Sequence, residues 1–189
     1  MASASADLDT ARETLVAELH DHALVIGDVT LSSGQTASYY VDARRALLRP
    51  RGFRAAGELI ADAAGRLGAE AVGGPVMAAI PLACAAIAVP GGQGLRGFFV
   101  RKERKQHGLQ RWVEGPVDAG TRCLVVEDTV TTGGSVLEAI DRMRGEGLEI
   151  VGALCVVDRL AGGAAAIAAR APFEALTTID DLYPDRPDR

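Results

Sequence analysis

The sequence predicts an α/β domain built on a mostly parallel central sheet flanked by helices. Three observations predict it. From Ala71 onward, short apolar runs alternate with helical stretches, an order that builds βαβ units. Cys123-Leu124-Val125-Val126 has the pattern of a buried strand and is followed at once by Gly-rich chain and a helix. The 189 residues suffice for one domain, 1–189, with a substantial core.

Taken in order, Leu8 to His20 places Leu8, Ala11, Leu15, Val16 and Leu19 on one helical face. Leu24 to Leu31 and Ser38 to Val41 read as strands around the turn-like Ser32-Ser33-Gly34-Gln35. Pro50-Arg51-Gly52 opens a helix that runs to about Leu67 and stops at Gly68. Ala71-Val72 is a short strand, Ile80 to Ala88 a helix, Gly97 to Val100 a strand. Lys102 to Gly120 breaks the alternation; it is polar, charged and punctuated by glycine, as functional loops are. Strand Cys123 to Val126, helix Ser135 to Arg144, strand Ile150 to Val157, an Ala-rich helix and strand Phe173 to Thr178 complete the pattern. Asp180 to Arg189, with Pro184 and Pro187, is expected to be an exposed end. Right-handed crossovers place ligands at the carboxyl ends of such strands.

Composition narrows the function. Apolar residues make up 48% and aromatics only 4%, so Ala, Val, Leu and Ile must fill the core. A net charge of −5 argues against generic nucleic-acid binding. Cys84, Cys123 and Cys155 are far apart in apolar runs, which suggests buried free thiols in a reducing compartment. Met1 to Thr10 lacks the pattern of a signal peptide, and Met77 to Val89 is too short for a bilayer, which takes about 20 residues. A cytoplasmic protein without a membrane partner is expected.

The chemistry concentrates after Val126. Glu127-Asp128 stands at a strand exit, followed by Thr129, Val130, Thr131, Thr132, Gly133, Gly134 and Ser135. Gly133 and Gly134 let successive N–H groups converge on one anion, and the next helix adds its positive end. Hydroxyls of Thr131, Thr132 and Ser135 can donate to phosphate oxygens. Carboxylates repel phosphate but accept from the adjacent hydroxyls of a ribose, so the set matches a ribose 5-phosphate. The alternative is an acidic turn before a helix capped by Ser135. No Gly-Lys-Ser/Thr follows, which excludes a Walker A loop, and no dinucleotide fingerprint is present.

Val125 to Ser135 resembles the phosphoribosyl-diphosphate motif of type I phosphoribosyltransferases. A second segment, Arg101-Lys102-Glu103-Arg104-Lys105-Gln106-His107-Gly108, places five Lys or Arg and one Glu within positions 101 to 111 of an acidic protein. Alone it could be a solvated surface loop. Beside a ribose-phosphate site, its cations suit a diphosphate leaving group, whose charge grows as its bond to ribose breaks. It resembles the flexible catalytic loop of orotate phosphoribosyltransferases, Arg-Lys-x-x-Lys-x-His-Gly, at all five specified positions. The resemblance implies Lys105 as the catalytic lysine, and Arg101, Lys102, Lys105 and His107 as diphosphate ligands, with the loop spanning about 101–120. It also implies the type I fold with a small amino-terminal hood, about residues 20–45, and a homodimer with shared active sites.

The hood segment Thr30 to Arg44 resembles the family's base-recognition element, in which an aromatic pair follows Ser-Gly; Tyr39 and Tyr40 fit that pair. Strand alternation puts one on each face, and either could instead be ordinary strand packing. Val157-Asp158-Arg159 ends a strand, and a strand-end Arg suits a bidentate contact with a carboxylate. Orotate carries one. By the resemblance Arg159 and Thr131 contact orotate, though Arg159 could also form a plain surface ion pair. Two family lysines are absent: Ser32 precedes Ser-Gly, and Gly74-Pro75 leads into Val76-Met77-Ala78-Ala79. Arg44 and Arg45 are candidates to compensate.

The expected activity is transfer of ribose 5-phosphate from 5-phosphoribosyl 1-diphosphate to orotate, giving orotidine 5′-phosphate and diphosphate in de novo pyrimidine biosynthesis. Mg²⁺ is expected to bind mainly through the diphosphate and ribose hydroxyls rather than in a protein cage. Two rivals remain: transfer to a purine or uracil, and a non-catalytic sensor of phosphoribosyl diphosphate.

Overall fold

The computed structural model describes residues 2–30, 36–103 and 111–189. Helix α1 (Ala2–His22) leads into the hairpin β1 (Leu24–Thr30) and β2 (Thr36–Val41), then α2 (Arg44–Leu47) and α3 (Pro50–Leu67). The alternating part follows as β3 (Ala71–Pro75), α4 (Ala79–Ala88), β4 (Arg96–Val100), β5 (Val113–Glu114), β6 (Arg122–Val130), α5 (Gly134–Gly145), β7 (Glu149–Asp158), α6 (Gly163–Ala168), β8 (Phe173–Thr178) and α7 (Ile179–Leu182).

The six-stranded sheet has the order β5-β4-β3-β6-β7-β8, with every neighbouring pair parallel except β4–β5. The order reverses direction between β3 and β6, the place where such sheets open a crevice at their carboxyl edge. β1 and β2 form a separate antiparallel hood, as the sequence implied. The turn Leu31 to Gln35, including Ser32, Ser33 and Gly34, lies outside the described residues.

Strand alternation divides the core. Leu124 and Val126 of β6 pack with α1, α3 and α4 on one face; Cys123 and Val125 pack with α5 and Ile167 of α6 on the other. The poverty of aromatics has a packing consequence. Gly57 of α3 meets α4 so closely that a Cβ there would lie 2.5 Å from the Ala85 carbonyl oxygen. Small residues let backbones approach, and α3 presents Ala55, Ala56, Ile60, Ala63 and Ala64 to the interior. Pro50 opens this helix and Gly68, at φ +64°, ends it, as expected from the sequence.

Three expectations need correction or qualification. β6 continues through Glu127 and Asp128 to Val130, because pairing with β7 persists from Arg122–Glu149 to Val130–Asp158. The carboxyl-terminal segment is exposed over most of Asp180 to Arg189, as expected, but it is anchored: Leu182 is buried and only 8% of the Arg186 side chain is exposed. Cys84 is exposed on α4, whereas Cys123 and Cys155 are buried; all three are free thiols. Burial pushes Cys123 up to about 12 and Cys155 further still, so neither thiol is poised to react.

Candidate active site

β6 ends at the centre of the sheet's carboxyl edge, and the phosphate loop grows from it. Gly133 takes φ +79° and precedes α5, whose first residue is Gly134. Gly134 and the hydroxyl residues Thr131, Thr132 and Ser135 face solvent, while Gly133 is buried. Ser135 does not cap the helix. Its Oγ donates to Glu127 Oε2 at 2.9 Å, across the loop. A second glycine pair supports the loop from below. Gly163 N–H donates to the Thr131 carbonyl at 3.0 Å. A Cβ on Gly163 would lie 2.6 Å from that oxygen and 2.5 Å from Val130 Cγ1. The sequence showed Gly162-Gly163 as punctuation only; its signal as loop support was the recurrence of Gly-Gly opposite the first pair.

The two acids are adjacent at the end of β6, and their carboxyl groups interact directly. Glu127 shares the α5 face and is 6% exposed. Its carboxyl is pushed up to about 7, first by burial and then by the charge of Asp128, with the Ser135 hydroxyl opposing. Asp128 is also raised, chiefly by burial, while its own Oδ1 accepts the Thr129 N–H at 2.7 Å and Arg44 draws it down. Arg44 is anchored to Asp42 through Nε at 2.8 Å and lies within electrostatic range of Asp128 and Tyr40. The hood therefore brings a cation near Asp128. Val130 is buried, and its carbonyl accepts the Arg159 N–H at 2.9 Å.

That bond places Arg159 beside the phosphate loop. Asp158, buried at the end of β7, accepts the Leu160 N–H at 2.9 Å and holds the turn in which Leu160 adopts φ 56°. The Arg159 guanidinium lies over the Tyr39 ring, 5.4 Å from its centroid. Tyr39 is buried and Tyr40 is half-buried, one on each face.

The loop cations are only partly described. Arg101 follows β4; its N–H donates to the Trp112 carbonyl at 2.9 Å, and its Nη1 pairs with Glu114 at 3.4 Å. Lys102 is exposed just beyond. Arg104, Lys105, His107 and Gly108 lie outside the described residues. Both stems are fastened to α5, which the sequence did not reveal. Arg142 donates to the Arg101 carbonyl at 2.8 Å and stacks 4.2 Å from the Trp112 ring centroid; Glu146 accepts the Trp112 N–H. A cis peptide joins Val76 and Met77 at the end of β3, where the family lysine is absent.

Among the described residues, no helix is long and apolar enough to cross a membrane.

Comparison with known proteins agrees with this geometry. The model of the phosphoribosyl transferase domain family matches residues 48–169. The orotate phosphoribosyltransferase of Corynebacterium glutamicum is 45% identical over 173 residues, 91% of this chain and 94% of its own. The crystal structure of Mycobacterium tuberculosis orotate phosphoribosyltransferase in complex with Fe(III) dicitrate superposes with a TM-score of 0.84 at 41% identity, covering 91% of this chain and 98% of that one. The same enzyme in complex with 5-phospho-alpha-D-ribosyl 1-diphosphate gives 0.79 at 36% identity, with the same two coverages. With a family model matching residues 48–169 and relatives along nearly the whole length, the chain belongs to the phosphoribosyl transferase family and, within it, to the orotate phosphoribosyltransferases.

Proposed function

We propose that the protein transfers ribose 5-phosphate from 5-phosphoribosyl 1-diphosphate to a ring nitrogen of orotate, giving orotidine 5′-phosphate and diphosphate in de novo pyrimidine biosynthesis. One observation carries the substrate choice: the Arg159 N–H is bonded to Val130, which sets a guanidinium fork at the rim of the ribose-phosphate loop. A carboxylated base meets that fork with two parallel charge-assisted hydrogen bonds; uracil and the purines lack the carboxylate such a fork pairs with most strongly.

The chain's groups divide the work. The N–H groups that open α5, with Thr131, Thr132, Gly133, Gly134 and Ser135, receive the 5-phosphate. Glu127 and Asp128 accept from the ribose hydroxyls, and their charge favours the cationic ribose that develops as the glycosidic C–O bond breaks. The bonding pair leaves with diphosphate, and the orotate nitrogen supplies the pair for the new bond as its own proton is released to solvent. The resemblance assigns Arg101, Lys102, Lys105 and His107 to the departing diphosphate, with Lys105 as the catalytic lysine. Arg44 adds charge beside Asp128, in partial replacement of the missing family lysines. Mg²⁺ is the expected cofactor. Asp128 and Glu127 offer hard oxygen donors, and among the described residues no group of three or more His, Cys, Asp or Glu could hold a metal. The ion would therefore be held largely by the substrate's own oxygens, where it neutralises diphosphate charge.

Two further elements belong to the proposal. Ile80, Cys84 and Ile87 on α4, with Met77 just before it, leave an exposed, largely apolar stripe, which supports a homodimer with shared active sites. Free thiols and an acidic surface suit a cytoplasmic enzyme. The deciding experiment is the spectroscopic assay of orotate consumption with phosphoribosyl diphosphate and Mg²⁺. Turnover of orotate alone is expected. Consumption of adenine, hypoxanthine or uracil in its place would sink the substrate assignment.

A further inference from the structure

We infer that Asp188, in the carboxyl-terminal segment, is a positioning residue for orotate, acting through the Tyr39 ring on the Arg159 guanidinium. The inference rests on the proposed contact between Arg159 and the orotate carboxylate. Its structural basis is independent of that reading.

Tyr39 lies on β2 of the hood and is 3% exposed, so its hydroxyl needs a partner within the protein. That partner comes from 149 positions away: the hydroxyl donates to Asp188 Oδ2 at 3.0 Å. Asp188 is itself held, since its Oδ1 lies 3.2 Å from Arg186 Nε. Arg186 is 8% exposed at its side chain and pairs a second time, with Asp180 of α7. Tyr183 meets the Tyr39 ring edge-on, 5.5 Å between centroids at 84°. The ring is thus fixed at its hydroxyl by Asp188 and along its edge or face by Tyr183. The guanidinium of Arg159 stands over it at 5.4 Å.

The consequence for recognition is geometric. Among the described residues Arg159 makes no ion pair, and Tyr39 is its side-chain contact. A long arginine side chain loses rotamer freedom when it is fixed. A cation over an aromatic face is held by the ring quadrupole, while its N–H donors stay free. The ring therefore orients the guanidinium in advance and leaves its fork for a carboxylate. Without Asp188, the buried Tyr39 hydroxyl loses its acceptor and the ring can turn, so Arg159 loses its platform. The phosphate loop, on β6 and α5, shares none of these contacts.

The test is steady-state kinetics on the full chain for Asp188→Ala, Tyr39→Phe, the double variant and, in parallel, Arg159→Ala, each with its melting temperature. Asp188→Ala is expected to raise the orotate KM about 5- to 20-fold, the loss of a hydrogen bond to a charged group, while the phosphoribosyl-diphosphate KM stays within about 2-fold. Tyr39→Phe should show the same split, and the double variant should be no worse than the weaker single, since both break one linkage. An unmoved orotate KM overturns the inference. So does an equal rise in both KM values with a lowered melting temperature, the signature of a merely structural tail. Should Asp188→Ala fail to fold, Tyr39→Phe, which deletes one oxygen, decides by the same criteria. If Arg159→Ala leaves the orotate KM unchanged, the reading of Arg159 has failed. If only Arg159→Ala raises it, the role of the tail has failed.

Discussion

Glu127 carries a carboxyl that its surroundings keep near half-protonation at neutral pH. Burial raises it to about 7 from an ordinary 4.5, with Asp128 adding to the shift. The folded protein therefore holds this proton more tightly than the unfolded chain does. That contribution to stability is fully present below the ordinary carboxylate range and disappears as pH rises through about 7. Over that window it amounts to on the order of 3 kcal/mol. Melting curves of the ligand-free protein should show wild type losing stability relative to Glu127→Gln between about pH 5 and 8. A constant difference across that range would contradict the assignment. Arg159 makes the second prediction at this scale. Arg159→Ala should raise the orotate KM about 10- to 100-fold, the loss of charge-assisted hydrogen bonds, with melting temperature nearly unchanged. Residue chemistry was legible where one side chain suffices: a strand-end Arg, a pair of acids, a run of hydroxyls. It was not legible where a partner lies far along the chain, as Asp188 does from Tyr39 and Ser135 does, across the loop, from Glu127.

Among the elements, the phosphate loop has the clearest sensitivity. Gly163→Ala would drive a Cβ against Val130 Cγ1 and the Thr131 carbonyl, at 2.5 and 2.6 Å. Such overpacking costs about 1–3 kcal/mol, and the displaced loop should raise the phosphoribosyl-diphosphate KM more than the orotate KM. An unchanged ratio of the two would remove Gly163 from loop support. Element order was readable because apolar runs and helical periods alternate cleanly after Ala71. Boundaries slipped where polar residues sit inside a strand: Glu127 to Val130 still pair with β7, and no local pattern announces that pairing. β5 escaped notice for a related reason. Val113-Glu114 is too short to show a period and exists because it meets β4. Arg142, Trp112 and Glu146 were invisible as a clamp, since α5 and the loop stems meet only through the fold.

For the whole molecule, the exposed stripe on α4 is the feature a single chain leaves unexplained. If it is the dimer contact, Ile80→Asp should shift the protein to a monomer on size-exclusion chromatography. If the loop serves the neighbouring site, that monomer should lose most of its turnover. A monomeric wild type would refute the assembly. The hood, the sheet and the anchored tail all meet at Tyr39 and Arg159, so the base recognition proposed for Arg159 would draw on residues from near both termini. Sequence order conceals such convergence, because each contributor is ordinary in its own segment.

The hydrogen bond from Ser135 to Glu127 has a consequence for selectivity in a crowded metabolite pool. Ser135 cannot turn its hydroxyl toward an incoming phosphate without deserting Glu127. Inorganic phosphate takes the hydroxyl and offers Glu127 nothing in return. A phosphorylated ribose brings its own hydroxyls to that carboxylate and makes good the loss. If the loop takes the 5-phosphate as proposed, it would discriminate against the commonest anion that could occupy it, the more so the more Glu127 is ionised. Glu127→Gln should narrow that discrimination, seen as stronger competitive inhibition by inorganic phosphate relative to the affinity for phosphoribosyl diphosphate.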